Sequence, residues 1–318
     1  VHQTITWQGD AYEGVEPVIA ITALPLYHIF SLEGNCLTVM AQGGQNILIT
    51  NPRDFEGFAK EIARHPFNLF TGVNTMFAAI MHAENFGKID FSHMRVCIGG
   101  GMAVQPAVAK EWKQKTGRTI LQGYGLTETS PVAICCRIDS EFDGSIGLPV
   151  PSTDVMIVGD DGNALPLGEI GEICIKGPQV MEGYWQRPKD TADVMLPGGW
   201  LRTGDVGRMD DGGYVWIEDR KKDMILVSGF NVYPNEIENV VVELDGILEA
   251  AAIGIPDERS GEIVKIFAVR KDDTITERDV LDYCRENLTG YKRPKAVEFR
   301  DELPKTNVGK ILRRALRD

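Results

Sequence analysis

Through the first part of the chain, short apolar runs alternate with longer stretches in which apolar residues recur at helical spacing. The runs at 18–23, 46–50, 67–71, 95–98 and 119–121 predict buried strands, and the stretches at 32–40, 54–64, 74–84 and 105–115 predict helices. Such alternation predicts an α/β fold with a mostly parallel, doubly wound sheet, whose ligands bind at the carboxyl ends of strands. From about 145 the texture turns to β, with strands at 155–158, 172–176, 206–209 and 214–218. The Asp-Gly turns Asp160-Asp161-Gly162-Asn163 and Asp210-Asp211-Gly212-Gly213 between them signal hairpins, hence a small barrel-like or sandwich piece. A third texture follows Arg220: a helix from Pro234 through Glu243, strands at 250–255, 264–269 and 297–299, a helix at 277–288 and a basic final helix after Gly309. The expected division is therefore 1–144, an α/β lobe; 145–219, a β-rich subdomain; and 220–318, an α+β unit of the size of a mobile lid.

Composition narrows the chemistry. The 318 residues carry a net charge of -13, which argues against a nucleic-acid backbone as partner, and 43% of them are apolar, enough for real cores. Six cysteines (Cys36, Cys97, Cys135, Cys136, Cys174 and Cys284) show no metal spacing or disulfide framework, so they read as reduced and mostly buried, which points to the cytoplasm. No apolar run approaches the length of a membrane span. Peripheral contact with the inner face of a membrane, and a homodimer, stay open. The sequence begins Val1-His2-Gln3, without an initiator Met, and enters a strand almost at once, so a piece of a longer protein is expected.

The stretch Gln122-Gly123-Tyr124-Gly125-Leu126-Thr127-Glu128-Thr129-Ser130 concentrates the chemistry. Two glycines flank a tyrosine, so the backbone is expected to turn tightly and leave the aromatic face free to stack. Thr127 and Glu128 offer a hydroxyl and a carboxylate suited to a phosphate oxygen and a hard cation such as Mg²⁺. A Gly-rich turn whose Thr, Glu and Ser merely cap a helix fits the same residues. A second Gly-rich strand end, Gly99-Gly100-Gly101, could share one floor with it.

Four segments occur in the order and spacing of adenylate-forming enzymes: Tyr124 through Glu128, Trp200-Leu201-Arg202-Thr203-Gly204-Asp205, Asp219-Arg220-Lys221-Lys222-Asp223, and Pro304-Lys305-Thr306-Asn307-Val308-Gly309-Lys310. Leu24-Pro25-Leu26-Tyr27-His28-Ile29-Phe30, Gly43-Gly44-Gln45-Asn46 and Gly144-Ser145-Ile146-Gly147-Leu148-Pro149 resemble the bacterial long-chain fatty acid–CoA ligases in particular. The resemblance covers nearly the whole chain and implies an ATP-dependent ligase. Fatty acid and ATP would give acyl-adenylate and pyrophosphate, and CoA would then take the acyl group as a thioester and release AMP. A medium-chain or aryl ligase is the alternative, as is a nucleotide-binding fragment without turnover. The latter arises because the family's upstream Ser/Thr- and Gly-rich phosphate loop is not found here.

The same resemblance assigns roles. Tyr124 stacks on adenine between Gly123 and Gly125, with Gly99, Gly100 and Gly101 along the base and Gly101 also near the acyl substrate. Thr127 contacts phosphate, Glu128 holds Mg²⁺, and Asp205 and Arg220 reach the ribose. Lys310 bridges the carboxylate and the α-phosphate, Lys222 stands at the hinge of a lid centred on 220–223, and Gly229 opens a path for the pantetheine arm of CoA. His28 would lie beside the acyl pocket, or be a satisfied core histidine. Arg313, Arg314 and Arg317 make the tail around Lys310 basic, and any one lysine in such a tail is more often a solvated charge; the cluster Tyr291-Lys292-Arg293-Pro294 reads as a solvated charge cluster or as a contact for the nucleotide of CoA.

Overall fold

The computed structural model describes residues 1–307 and 309–317. The chain packs as two units, one comprising Val1–Thr203 with Gly207–Ile217, the other Gly204–Val206 with the chain from Glu218 onward. Ahead of the first strand lies a helix, α1 (His2–Gln8), that the apolar pattern did not announce.

The first unit is built on a seven-stranded sheet. Its strands in chain order are β1 (Ile19–Thr22), β2 (Gln45–Leu48), β3 (Leu69–Gly72), β4 (Val96–Gly100), β5 (Leu121–Gly125), β6 (Val132–Cys135) and β7 (Leu148–Pro149), and they lie in the order β2-β1-β3-β4-β5-β6-β7. β1 to β5 are parallel, and β6 and β7 add antiparallel at one edge. Because successive side chains point to opposite faces, Ile21 and Phe70 join one core while Ala20, Leu69, Val96 and Leu121 join another on the far side. Both faces are thus covered, which is why these strands read as continuous apolar runs.

The first core is aromatic. Helices α4 (Phe55–Ile62), α5 (Asn74–Ile80) and α6 (Pro106–Thr116) contribute Phe58, Phe77 and Trp112 to it. The ring of Phe77 meets Trp112 edge-on at 5.0 Å and Phe70 at 5.6 Å, and Trp112 is fully buried. Local chemistry sets the helix ends. Asp54 accepts the Gly57 N–H at 3.0 Å to start α4, Pro106 opens α6 and Gly117 ends it in the left-handed conformation. The predicted helix at 32–40 is a composite run: α2 (Ile29–Ser31), a π-helical turn (Leu32–Leu37) and α3 (Thr38–Ala41).

A five-stranded sheet of β8 (Asp154–Val158), β9 (Gly171–Lys176), β10 (Met195–Leu196), β11 (Trp200–Met209) and β12 (Val215–Arg220) completes this unit, with the division between units falling inside β11 and β12. Ile157, Ile173, Ile175 and Val215 from it pack with Ala133 and Ile134 of β6 and with Tyr124 of β5. A short helix, α7 (Pro188–Val194), precedes β10.

The second unit carries β13 (Ile225–Val227), β14 (Phe230–Val232), β15 (Ile247–Asp257), β16 (Gly261–Arg270) and β17 (Ala296–Phe299), ordered β14-β13-β16-β15 with β17 parallel to β16. Helices α8 (Pro234–Glu243) and α9 (Glu277–Asn287) bury Ile237, Val241, Val280 and Cys284 against one face. Thr276 and Asp279 form a reciprocal capping box at the start of α9. Leu303 and Leu316 cover the other face with Ala251, Ile253 and Phe267. The predicted basic final helix is only a 3₁₀ turn, Arg313–Leu316. The six cysteines form no disulfide, and five are buried. No helix among the described residues is long and apolar enough to cross a membrane.

Candidate functional site

In the first unit the candidate residues gather at the carboxyl ends of β4 and β5. The expected tight turn around Tyr124 is instead a strand: Gln122, Gly123, Tyr124 and Gly125 all belong to β5, bonded to β4 on one side and β6 on the other. Gly125 is required by packing, since a Cβ there would lie 1.7 Å from the Pro131 carbonyl oxygen. Gly123 lies against Ile98 and Cys135. Tyr124 does not present a free aromatic face. It is buried, 9% exposed, with its neighbours in the isoleucine-rich core.

The triple glycine divides into two kinds of position. A Cβ on Gly99 would meet Val104 at 2.5 Å and Ile120 at 2.9 Å, and one on Gly100 would meet Phe30 and the Gly123 carbonyl at 3.0 Å. Protein atoms alone therefore demand glycine at 99 and leave little room for anything larger at 100. Gly101 differs, being exposed, at φ +75°, with only Val73 near its Cβ position. Beneath them Gln122 is a buried clamp that accepts the Val104 N–H at 3.0 Å and donates to the Ser145 carbonyl at 2.8 Å, fixing the loop after β4 to the end of β5.

Beyond β5 the chain makes a 3₁₀ turn, Thr127–Thr129, leaving Thr127 exposed and Glu128 half-buried. Thr129 does the capping: its hydroxyl accepts the Leu126 N–H at 2.8 Å and donates to the Pro131 carbonyl. That frees Thr127 and Glu128 from the local turn, so the capping explanation applies to their neighbour rather than to them. A returning loop grips this turn, with the Met181 N–H donating to the Glu128 carbonyl at 2.8 Å and the Tyr184 hydroxyl donating to Glu128 Oε1 at 2.8 Å. Burial, and then the bond to Glu128, push the Tyr184 phenol up to about 12, so it remains a donor throughout the physiological range. Tyr184 escaped the sequence reading because 56 positions separate it from Glu128, and only the fold closes that distance.

No group of three or more metal-binding side chains occurs among the described residues. A single carboxylate still suits Mg²⁺, which takes one or two protein carboxylates and fills its remaining positions with water and phosphate oxygens. Glu128, half-buried and with Oε1 held by the Tyr184 hydroxyl, fits that requirement. His28 stands at the start of α2, where its Nδ1 accepts the Phe30 N–H at 3.3 Å, so the imidazole has a capping role.

In the second unit, Asp205 of β11 is buried and paired with Arg220, whose Nε lies 3.3 Å from Asp205 Oδ1. Lys310 is half-buried on the loop that leads to the terminal 3₁₀ turn. Burial, followed by the positive charge of Arg220, pushes its ammonium down to about 8, against the opposing pull of Asp205 and with Arg313 and Asp223 as smaller influences. Sequence reading thus picked three residues that the fold couples electrostatically across more than a hundred positions.

Lys222 is exposed in the turn after β12, and the Asp223 N–H donates to the Arg220 carbonyl at 2.9 Å to close that turn. Gly229 sits with Ser228 in a two-residue hairpin between β13 and β14, at φ +84° and +52° respectively, with open space beyond the glycine. Arg313 does not behave as a solvated charge: its side chain is 13% exposed and engaged by several acidic partners. Nothing local in the sequence separates it from Arg314 and Arg317, which are exposed.

Residues 1–185 match the family model described as AMP-binding enzyme, and residues 236–310 match that of the AMP-binding enzyme C-terminal domain. The chain is 58% identical over 301 residues to a long-chain-fatty-acid–CoA ligase of Escherichia coli O6:H1, covering 94% of this chain and 54% of the relative. A long-chain-fatty-acid–CoA ligase of Yersinia pestis is likewise 58% identical, with 94% and 53% covered. Among solved structures, ATP-bound MatB from Rhodopseudomonas palustris superimposes with a TM-score of 0.87 at 32% identity, covering 99% of this chain and 63% of that one. The chain therefore spans about half the length of the curated relatives it matches.

Proposed function

The chain belongs to the AMP-binding enzyme family, and from that premise we propose that it forms the carboxyl-terminal half of a ligase. The ligase joins a long-chain fatty acid to CoA by way of an acyl-adenylate. Two chemical steps are needed because a carboxylate oxygen is a poor leaving group. Reaction with ATP makes it an acyl-adenylate and releases pyrophosphate; the CoA thiol then attacks the acyl carbon, forming the thioester as AMP leaves.

In this reading Thr127 and Glu128 serve the phosphates, Thr127 by its exposed hydroxyl and Glu128 as the protein ligand of Mg²⁺. The bound cation supplies charge neutralisation at the phosphate oxygens. Tyr184 holds the Glu128 carboxylate in a fixed orientation. Gly101 is the glycine of the triplet with room beside it for a ligand, and Gly99, Gly100, Gly123 and Gly125 keep the floor flat beneath the base. The part of Tyr124 that remains exposed would border the adenine. Asp205, as an acceptor, would take hydrogen bonds from the ribose hydroxyls, with Arg220 beside it. The 220–223 turn, with Lys222 exposed, would serve as the hinge. Gly229 at its hairpin tip would border the pantetheine arm, and His28 the acyl chain.

One observation carries the proposal: Lys310 is held half-buried and electrostatically coupled to Asp205 and Arg220. A cation withdrawn from water is worth more to a developing negative charge than a solvated one, and a donor so placed contributes about 10²- to 10³-fold in rate. Lys310→Ala in the full-length protein is expected to reduce acyl-adenylate formation, read by ATP–pyrophosphate exchange, by about that factor. Thioester formation from preformed acyl-adenylate should be spared. Equal loss in both steps would remove Lys310 from the adenylation step. Binding of acyl-adenylate without any exchange in the unaltered full-length protein would favour a nucleotide-binding module instead.

A further inference from the structure

Arg313 uses its whole guanidinium. Its Nε donates to Glu238 Oε1 at 2.8 Å and Nη2 to Glu238 Oε2 at 2.7 Å, a two-point contact with one carboxylate. Nη2 also donates to Asn235 Oδ1 at 2.5 Å, while Nη1 donates to Asp219 Oδ1 at 2.9 Å and lies 3.5 Å from Asp223 Oδ2. Burial works against the guanidinium charge, but Glu238, Asp219 and Asp223 outweigh it and push its pKa up, so the group stays cationic.

The acceptors are themselves pinned by main-chain donors. Asp219 accepts from the N–H groups of Arg220 and Asn235, both at 2.7 Å, and Glu238 Oε1 accepts from the Ala252 N–H at 2.8 Å. Arg313 therefore joins the end of β12, the first turns of α8 and, through Glu238, strand β15. Three residues upstream, the loop bearing Lys310 is closed on itself. The Thr306 N–H donates to the Lys310 carbonyl at 2.8 Å, the Lys310 N–H to Thr306 Oγ1 at 3.1 Å, and the Leu312 N–H to the Pro304 carbonyl at 2.8 Å. A closed loop moves as a piece with whatever anchors its end.

We propose that Arg313 is a positioning residue for Lys310: by clamping the terminal segment to Asp219, Asn235 and Glu238, it fixes where the loop delivers the lysine ammonium. This rests on the reading of Lys310 as the adenylation lysine. Arg313 touches no substrate in the proposal and acts only through the loop. A lysine at 313 could keep the charge but not the planar fork, so it could satisfy Asp219 or Glu238 but not both in the same geometry.

The test is Arg313→Lys in the full-length protein, with both half-reactions measured beside Lys310→Ala. The expected result is a loss of about 10²-fold in pyrophosphate exchange, the scale of an ångström-sized misplacement. Thioester formation from preformed acyl-adenylate should stay within about twofold of the unaltered protein. A parallel loss in both half-reactions marks a purely structural residue and overturns the proposal, as does unchanged exchange. If Lys310→Ala leaves exchange intact, the lysine reading fails and takes this one with it. If Lys310→Ala abolishes exchange and Arg313→Lys does not, only the positioning role falls. Should Arg313→Lys not fold, Asn235→Ala, which deletes one acceptor of the clamp, is read the same way. A smaller split between the half-reactions supports the proposal, and none overturns it.

Discussion

Raising the pH through 8 is predicted to switch off adenylation in the full-length protein by removing the proton from Lys310. An ordinary lysine titrates near about 10.4, and burial with Arg220 nearby brings this one to about 8. The groups that face it are Arg220 and Arg313, which disfavour its charge, and Asp205 and Asp223, which favour it. In the proposed role the cation is the active form, which fixes the sign: activity is present below the shifted pKa and lost as the pH rises through it. About nine tenths of Lys310 is charged at pH 7 and about one tenth at pH 9, so exchange at pH 9 should stand near a tenth of its plateau. The assay is ATP–pyrophosphate exchange across this range, with thioester formation from preformed acyl-adenylate as the internal control for general inactivation. Lys310→Arg provides the decisive comparison, because a guanidinium keeps its charge past pH 12. Its exchange rate should be lower yet flat where the unaltered protein declines. Persistence of the decline near pH 8 in Lys310→Arg, or its absence from the unaltered protein until about pH 10, would refute the assignment.

Two further expectations concern the first unit. Tyr184→Phe removes the donor that orients Glu128, and the Mg²⁺ concentration giving half-maximal exchange should rise about 10-fold, as for other groups that orient a metal ligand; an unchanged Mg²⁺ titration would show that the bond has no bearing on the cation. Gly125→Ala forces a methyl group to within 1.7 Å of the Pro131 carbonyl oxygen, so β5 and β6 must separate. The expected loss is about 3 kcal/mol in urea unfolding, and a normal midpoint would contradict the packing argument.

Much of the architecture was legible because both faces of the parallel sheet are covered. Burial on both sides makes β1, β3 and β4 apolar throughout, and the helices between them keep one apolar stripe. What escaped were elements without such a signal, α1 and the short edge strand β7 among them, and the π-helical character of the turn inside the predicted helix at 32–40, whose buried Glu33 and Asn35 look polar in sequence. The same limit explains Tyr124. Flanking glycines suggest a loop when read locally, but here they let three strands approach closely, and the tyrosine between them is drawn into the core.

The sequence by itself determined the family and the inventory of chemical groups, because Thr127, Glu128, Asp205, Arg220 and Lys310 sit in short motifs of fixed order. Tertiary structure decided which neighbours each of them has and in what state it is held. Burial and neighbouring charges set the Lys310 ammonium near 8, the returning loop brings Tyr184 to Glu128, and one arginine among three in the tail closes over Asp219 and Glu238. Desolvation and long-range hydrogen bonds depend on what surrounds a group in space, and no local spacing along the chain encodes that.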